Sequence, residues 1–402
     1  MKMTRRIFAF SLLIAPLVFS VAGGSADKPA AKHKFLVFVG TYTTKTGSKG
    51  IYGYEFDADT GKLTPKGVAA ETPDPSWVAV HPSGKFLYAA NEAGKASAVS
   101  AFALDAKSGK LKLLNQMPSL GEDPCYISFD KTGKFVFVAN YTSGNVVVFP
   151  VRADGKLGGA TANVRDAGAL GPNKERQENP HAHWVGSAWS WEKGEEMFVA
   201  DLGLDRVLFY DFDSVKGTLK LHDATITSNR PFAQNALELK PGTGPRHVAI
   251  PREKDFRRFV YVLGELDSTV TVFGNSKEGI FNPMQKVPTL PSGFSGRNDA
   301  AEIAVHPNGK FLYSSNRGDD TIAIFSIDAK KGTLTFVARV PTGGKEPRHF
   351  AIDPSGNYLL AENQLSNNIV VFKIDLATGG LTPTGQVVEV PAPVDLTFVA
   401  AE

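Results

Sequence analysis

Imidazole, guanidinium and carboxylate groups stand at widely separated points of this chain, as His181-Ala182-His183, Arg246-His247, Glu265, Arg317 and Arg348-His349. Arginine offers a planar fork that suits a carboxylate, a phosphate or a developing oxyanion. Histidine and glutamate can move a proton near neutral pH. Together the three types suit acyl chemistry, in which an oxyanion forms and a leaving oxygen needs a proton. No Gly-x-Ser-x-Gly nucleophile turn is present, so a covalent acyl-enzyme is not the first expectation. No glycine-rich loop of the phosphate-cradling type opens a helix either. His181-x-His183 has the spacing of a metal pair, but neither a cysteine nor a third histidine accompanies it, and no metal is expected. Cys125 is the sole cysteine; a buried structural thiol is expected there, and an internal disulfide is impossible.

What brings such distant residues together is a repeat. Asp74-Pro75-Ser76-Trp77, Asp123-Pro124-Cys125-Tyr126, Asn179-Pro180-His181, Gly244-Pro245-Arg246-His247, Ala300-Ala301-Glu302 and Glu346-Pro347-Arg348-His349 each open a short apolar run. They recur about every 45 to 65 residues, the size of a four-stranded propeller blade. Turns such as His81-Pro82-Ser83-Gly84-Lys85 and His306-Pro307-Asn308-Gly309-Lys310 lead into the second strand. A seventh copy is split: Phe35 to Thr43 reads as a second strand lacking its first, and Val394 to Val399 as a first strand lacking its second. The expected fold is therefore all-β, a seven-bladed β-propeller closed by its C-terminal strand, which leaves only short, protected sheet edges.

In a propeller the start of each inner strand and the end of each second strand lie on one face of the ring. That face gathers His181, His183, Arg246, His247, Glu302, Arg348 and His349 from the strand starts. From the second-strand ends come Glu92, Tyr141, Asp201, Glu265 and Arg317. We expect catalytic roles for His183, Glu265, Arg246 and Arg317, whose types change from blade to blade where a repeated structural role would keep them alike. His181, His247, Asp201, Tyr141 and Arg348 are expected to bind substrate. Asn91, Asn140, Asp201 and Asn316 are also of types that hold the turn after the second strand, so Asp201 carries both readings. His81 and His306 fall on the opposite face and are expected to be structural, His222 to be a solvated strand residue, and Trp184, Trp189 and Trp191 to pack within an irregular part of the fourth blade.

The first six residues carry three basic groups, residues 7–22 are almost wholly apolar, and small residues follow at Ser20-Val21-Ala22 and Gly24-Ser25-Ala26. Residues 1–26 are expected to be a signal peptide, residues 27–33 a linker and residues 34–402 the propeller. Thr4-Arg5-Arg6-Ile7-Phe8 also resembles a twin-arginine export signal. The mature chain is then exported, periplasmic or secreted, without membrane attachment after cleavage. Lysine plus arginine number 44 against 41 for aspartate plus glutamate, with no basic, aromatic-studded face, so a nucleic-acid partner is not expected. A monomer is.

Gly40-Thr41-Tyr42-Thr43, Pro124-Cys125, Ala139-Asn140-Tyr141, Gln177-x-x-Pro180-His181-Ala182-His183, Asp201-Leu202-Gly203-x-Asp205, Gly244-Pro245-Arg246-His247, Glu265-Leu266, Ala301-Glu302-Ile303 and Ser315-Asn316-Arg317-Gly318 together resemble the propeller-type lactonases. That family includes bacterial 6-phosphogluconolactonase and is related to the fungal carboxy-cis,cis-muconate cyclase. The resemblance runs through essentially the whole mature chain. It implies a seven-bladed propeller without a metal or organic cofactor, a small-molecule lactone as substrate, and a catalytic group at His183 (or His181), Arg246, Glu265 and Arg317. In the implied reaction water, deprotonated by Glu265 or a histidine, attacks the ester carbonyl. Arg246 and Arg317 hold the oxyanion, and His183 protonates the ring oxygen; the roles of Glu265 and His183 could be exchanged. A phosphorylated sugar lactone belongs to the cytoplasm, whereas this chain carries an export leader, so an unphosphorylated aldonolactone such as gluconolactone is the nearer substrate. A muconate-type cyclase and a non-enzymatic binding scaffold remain alternatives at this stage.

Overall fold

The computed structural model describes residues 33–191, 194–224, 233–251 and 258–401, without the side chains of Trp189 and Trp191. The expected signal peptide and most of the linker lie outside these residues. Seven antiparallel sheets follow one another along the chain. Their inner strands are Pro393–Ala400, Pro75–Val80, Pro124–Phe129, Ala182–Trp191, Pro245–Ala249, Asp299–Val305 and Pro347–Ile352. The last strand of the chain is thus the innermost strand of the first blade. It pairs with Lys34–Thr41 from Phe35↔Ala400 to Thr41↔Pro393. Ring closure by the C-terminus is as the split repeat foretold.

The second strands read as unbroken apolar runs because each is buried on both faces, between two neighbouring blades. In Phe135–Asn140, Phe137 and Ala139 pack toward Met197 and Val199 of the fourth blade, while Val136 and Val138 pack toward Tyr88 and Ala90 of the second. Period-two alternation here divides side chains between two cores, not between core and solvent. Buried tyrosines add polar ties across the joints: Tyr88, Tyr261 and Tyr313 donate their hydroxyls to the carbonyls of Gly155, Gly332 and Gly379 at 2.7, 3.0 and 2.8 Å. Gly332 has φ 69°, and a Cβ on it would lie 2.2 Å from the Phe259 ring, so the hairpin and the close approach both require glycine.

One irregularity recurs in every blade and shapes the functional face. The ladder between inner and second strand slips at the start of the inner strand, leaving Ser76, Cys125, His183 and Arg348 as single unpaired residues and Arg246-His247 and Ala301-Glu302 as unpaired twos. Val394 is the equivalent in the closing strand. A bulge frees a residue from the alternation and re-aims its side chain. The residue before the inner-strand proline is left-handed at Asp74 (φ 38°), Asp123 (57°), Gly244 (59°) and Glu346 (58°), which turns the chain sharply into the bulge. The fourth blade is irregular as expected, with a second slip between Ser187 and Trp189 and a fifth strand, Ala236–Glu238, on its sheet. Trp184 lies within a ten-residue inner strand and is buried against Phe198, Phe209 and Val248.

Candidate active site

The bulges aim their side chains at the mouth of the central channel, where the second-strand ends meet them. The residue following the second strand is held by a recurring backbone bond. Glu92, Tyr141 and Glu265 donate their N–H groups to the carbonyls of Asp74, Asp123 and Gly244 at 2.9, 2.8 and 2.8 Å. This fixes Glu265 from the fifth blade beside Arg246 of its own bulge and Arg317 of the sixth.

Glu265 is the hub. Arg176 Nη2 reaches its Oε1 at 2.5 Å, Arg317 Nη2 the same oxygen at 3.2 Å, and Arg246 Nε its Oε2 at 3.0 Å. Burial alone would push the Glu265 pKa up, but Arg317, Arg246 and Arg176 together outweigh it and hold the carboxyl at about 2. Such a carboxylate is a poor proton acceptor at neutral pH. Arg246 is lowered to about 10, by burial first and then by Arg317, and still carries its charge at pH 7.

His183 stands differently. Its ring meets His247 edge-on at 5.1 Å and Tyr141 at 5.6 Å, it is 5 % exposed, and its Nδ1 makes no hydrogen bond within the chain. Burial, followed by Arg246 and His247, holds its pKa well below the usual histidine value, so the ring is neutral at pH 7. Arg246 Nε and Arg317 Nη2 likewise lack a hydrogen bond of good geometry despite lying near Glu265. Buried polar groups of this kind are uncommon in folded proteins and call for an explanation. Here the two guanidinium nitrogens lie within ion-pair distance of Glu265, and the His183 nitrogen is the one of the three without a charged partner among the described residues.

The other expected site residues divide. His247 joins the cluster, with Nδ1 2.8 Å from Glu302 Oε2. Arg348 lies over the Tyr42 ring at 5.2 Å and 3.9 Å from Glu92, at the rim. Tyr141 stacks on His181 at 4.4 Å, and its hydroxyl accepts from Arg176 at 3.4 Å. His181 is turned to support: Nδ1 donates to the Tyr141 carbonyl at 2.9 Å and Nε2 faces Glu178 at 3.2 Å. Asp201 is wholly buried and accepts the N–H groups of His181 and Leu204 at 2.9 and 3.0 Å. It therefore holds the His181 backbone in place. Asn91 and Asn316 hold turns as expected, donating to the carbonyls of Pro73 and Thr289 at 2.5 and 3.3 Å.

Arg176 was not anticipated. It comes from the segment between the third and fourth blades, whose Gln177 is buried and donates to the Leu202 carbonyl at 2.8 Å. A second Arg176 contact, to Asp299 at 3.3 Å, joins that segment to the sixth blade. The Gln177-x-x-Pro180 motif pointed to the segment but not to its neighbour. His222 is a correction: it is 1 % exposed, not solvated, and faces Asp211 at 3.0 Å and Glu196 at 3.4 Å. Its backbone N–H donates to the Phe209 carbonyl at 2.9 Å, which carries the ladder of the outer strand Thr218–Leu221 one residue further. Among the described residues this trio is the one set of potential ligand atoms close enough to share an ion, within 4.8 Å. His181 and His183 both pack on the Tyr141 ring, the first stacked at 4.4 Å and the second edge-on at 5.6 Å. Cys125 is buried and its thiol is pushed up by burial, in keeping with a structural role.

This bulge-lined propeller mouth has relatives. Residues 36–398 match the model of the family described as lactonase, 7-bladed beta-propeller. The chain belongs to that family of lactonases. A 6-phosphogluconolactonase of Bacillus subtilis is 37 % identical over 319 residues, covering 79 % of this chain and 84 % of the relative. Another, from Formosa agariphila, is 33 % identical over 78 % of this chain and 85 % of its own length. Among solved structures, a periplasmic gluconolactonase of Pseudomonas aeruginosa is similar with a TM-score of 0.82 and 33 % identity, over 92 % of this chain and all of that one.

Proposed function

We propose that this protein hydrolyses an uncharged aldonolactone of the gluconolactone type, outside the cytoplasm, with no metal in the reaction. The observation that carries the substrate class is electrostatic. Each arginine at the mouth already faces a carboxylate: Arg176 faces Glu265 and Asp299, Arg246 faces Glu265, Arg317 faces Glu265 and, at 4.0 Å, Glu346, and Arg348 faces Glu92. A phosphate group would have to displace one of these partners, whereas a neutral lactone needs only hydrogen bonds. The leader sequence and the periplasmic gluconolactonase among the similar structures support the same substrate class and an exported location.

In this reading water adds to the lactone carbonyl while neutral His183 takes its proton. The oxyanion so formed lies against the guanidinium groups of Arg246 and Arg317, whose fixed charge stabilises it. When the ring C–O bond breaks, the His183 imidazolium returns the proton to the departing oxygen, leaving the open-chain hydroxy acid. Glu265 aligns the guanidinium groups. It is not the proton carrier, because three arginines hold its pKa at about 2 and so make it too weak a base.

The test is a pH-stat assay of the mature protein on gluconolactone, its 6-phospho derivative and a carboxymuconolactone. We expect kcat/KM to be at least about tenfold higher for gluconolactone, as unfavourable charge displacement implies. The reverse preference would overturn the uncharged-substrate reading, and turnover of the muconolactone alone would favour the cyclase. Protein recovered from the exported fraction should begin near Gly23 or Asp27; full-length protein confined to the cytoplasm would contradict export.

A further inference from the structure

Beneath Arg246 lies a buried chain of groups that the hydrolytic scheme leaves unused. Arg246 Nη1 donates to the Ala301 carbonyl at 2.5 Å and lies 3.4 Å from His247 Nε2. A guanidinium has donors only, so His247 Nε2 must be the acceptor and the ring proton must sit on Nδ1. That nitrogen is 2.8 Å from Glu302 Oε2, to which it donates. The other oxygen, Oε1, accepts the N–H of Ile303 at 3.0 Å, and the Ser315 hydroxyl accepts the Glu302 N–H at 3.0 Å. Glu302 therefore has both oxygens and its backbone fixed, within an unpaired two-residue bulge that directs it inward.

The chain continues behind it. His349 Nε2 is 3.7 Å from Glu302 Oε2 and 3.4 Å from Asp395 Oδ1, and its Nδ1 is 2.6 Å from Glu362. Trp77 is wedged between the rings of His247 and His349, at 5.5 and 5.4 Å, which keeps the two imidazoles from turning. Burial, then Arg246 and His349, holds the His247 pKa well below its usual value, in keeping with the neutral, single-tautomer ring that the geometry requires.

We infer that Glu302 is a positioning residue for lactone hydrolysis: by fixing the His247 tautomer it presents a bare Nε2 to Arg246 and so holds that guanidinium in its oxyanion-binding pose. This rests on the role of Arg246 set out under Proposed function. Without the Glu302 acceptor, His247 is free to carry its proton on Nε2, which places donor against donor and pushes Arg246 aside.

The test is a double-mutant cycle with gluconolactone as substrate. Glu302→Leu should lower kcat by roughly 10- to 100-fold, the range for weakening one oxyanion contact, with KM changed less than about threefold. In an Arg246→Lys background the same substitution should cost less than about threefold, since residues that act through one another are non-additive. An equal loss in both backgrounds would overturn the proposal. The wild-type protein offers a reading that does not need turnover. In ¹⁵N-histidine NMR, with His247 assigned by comparison with His247→Gln, the ring should be the neutral Nδ1–H tautomer at pH 7. An Nε2–H tautomer or an imidazolium would overturn it. If gluconolactone is not turned over at all, the proposed function fails while this NMR result still decides the tautomer.

Discussion

The two faces of the propeller use the same residue type for opposite ends. On the hairpin face, His81 and His306 make the same bond, Nε2 to the carbonyl of Gly133 or Gly356 at 2.8 Å, each tying its blade to the next. At the mouth, His183, His247 and His349 have no common partner: one meets aromatic edges, one a guanidinium and a carboxylate, one three carboxylates. The hairpin histidines belong to a repeated turn, and repetition makes them interchangeable. His183 and His247 belong to bulges, where the side chain leaves the ladder, and His349 directly follows one, so their surroundings differ from blade to blade. Imidazole chemistry therefore follows the element that carries the ring.

The largest effect that separates the faces should come from His183→Ala, which removes the proton carrier and should lower kcat on gluconolactone by roughly 10²–10⁴-fold. In the wild type, the acid limb of the kcat profile should lie below pH 6.5, because the neutral ring is the working form and burial with Arg246 and His247 lowers its pKa. A limb at or above pH 7 would assign the proton to another group. Glu265→Gln is next: with its role one of alignment, kcat should fall roughly 10- to 100-fold while the acid limb stays in place. If that limb moved or vanished, Glu265 would be the base.

On the hairpin face, His306→Ala should leave kcat and KM intact but cost about 1–3 kcal/mol of stability, since it leaves the buried Gly356 carbonyl without its donor. Chemical denaturation reads this directly. A further effect on stability concerns Asp395, where burial raises the pKa to about 7 from an ordinary 3.8. The folded protein then binds a proton more tightly than the unfolded chain, so this contribution to stability is complete below about pH 4 and is lost as the pH rises through 7. Asp395→Asn should flatten that part of the stability profile. An unchanged slope would show that Asp395 ionises freely in the folded state.

The fold was legible because blade cores need a compact apolar strand and a tight turn, and both recur in register along the chain. Split halves at the termini revealed the closure for the same reason. Much of the mouth was legible too, since strand starts and ends must converge in a propeller whatever residues they hold. The bulges were not. A slip of one or two residues leaves no mark in an apolar pattern, yet it frees His183 from the ladder and brings Glu302 to His247. Arg176 was hidden because its segment belongs to no repeated strand, and His222 because its burial depends on side chains of other strands, Asp211 and Glu196, that face it. The proposal that gives the proton role to His183 and not Glu265 rests on three guanidinium groups around one carboxylate, a grouping that no sequence pattern shows.

One comparison tests the central claim most directly: kcat on gluconolactone for the wild type, His183→Ala and His306→Ala, measured side by side by pH-stat at pH 7. The account predicts a loss of roughly 10²–10⁴-fold for His183→Ala and a wild-type rate for His306→Ala. Near-normal turnover by the His183 variant, or an equal loss in the His306 variant, would contradict the placement of hydrolysis at the bulge-lined mouth.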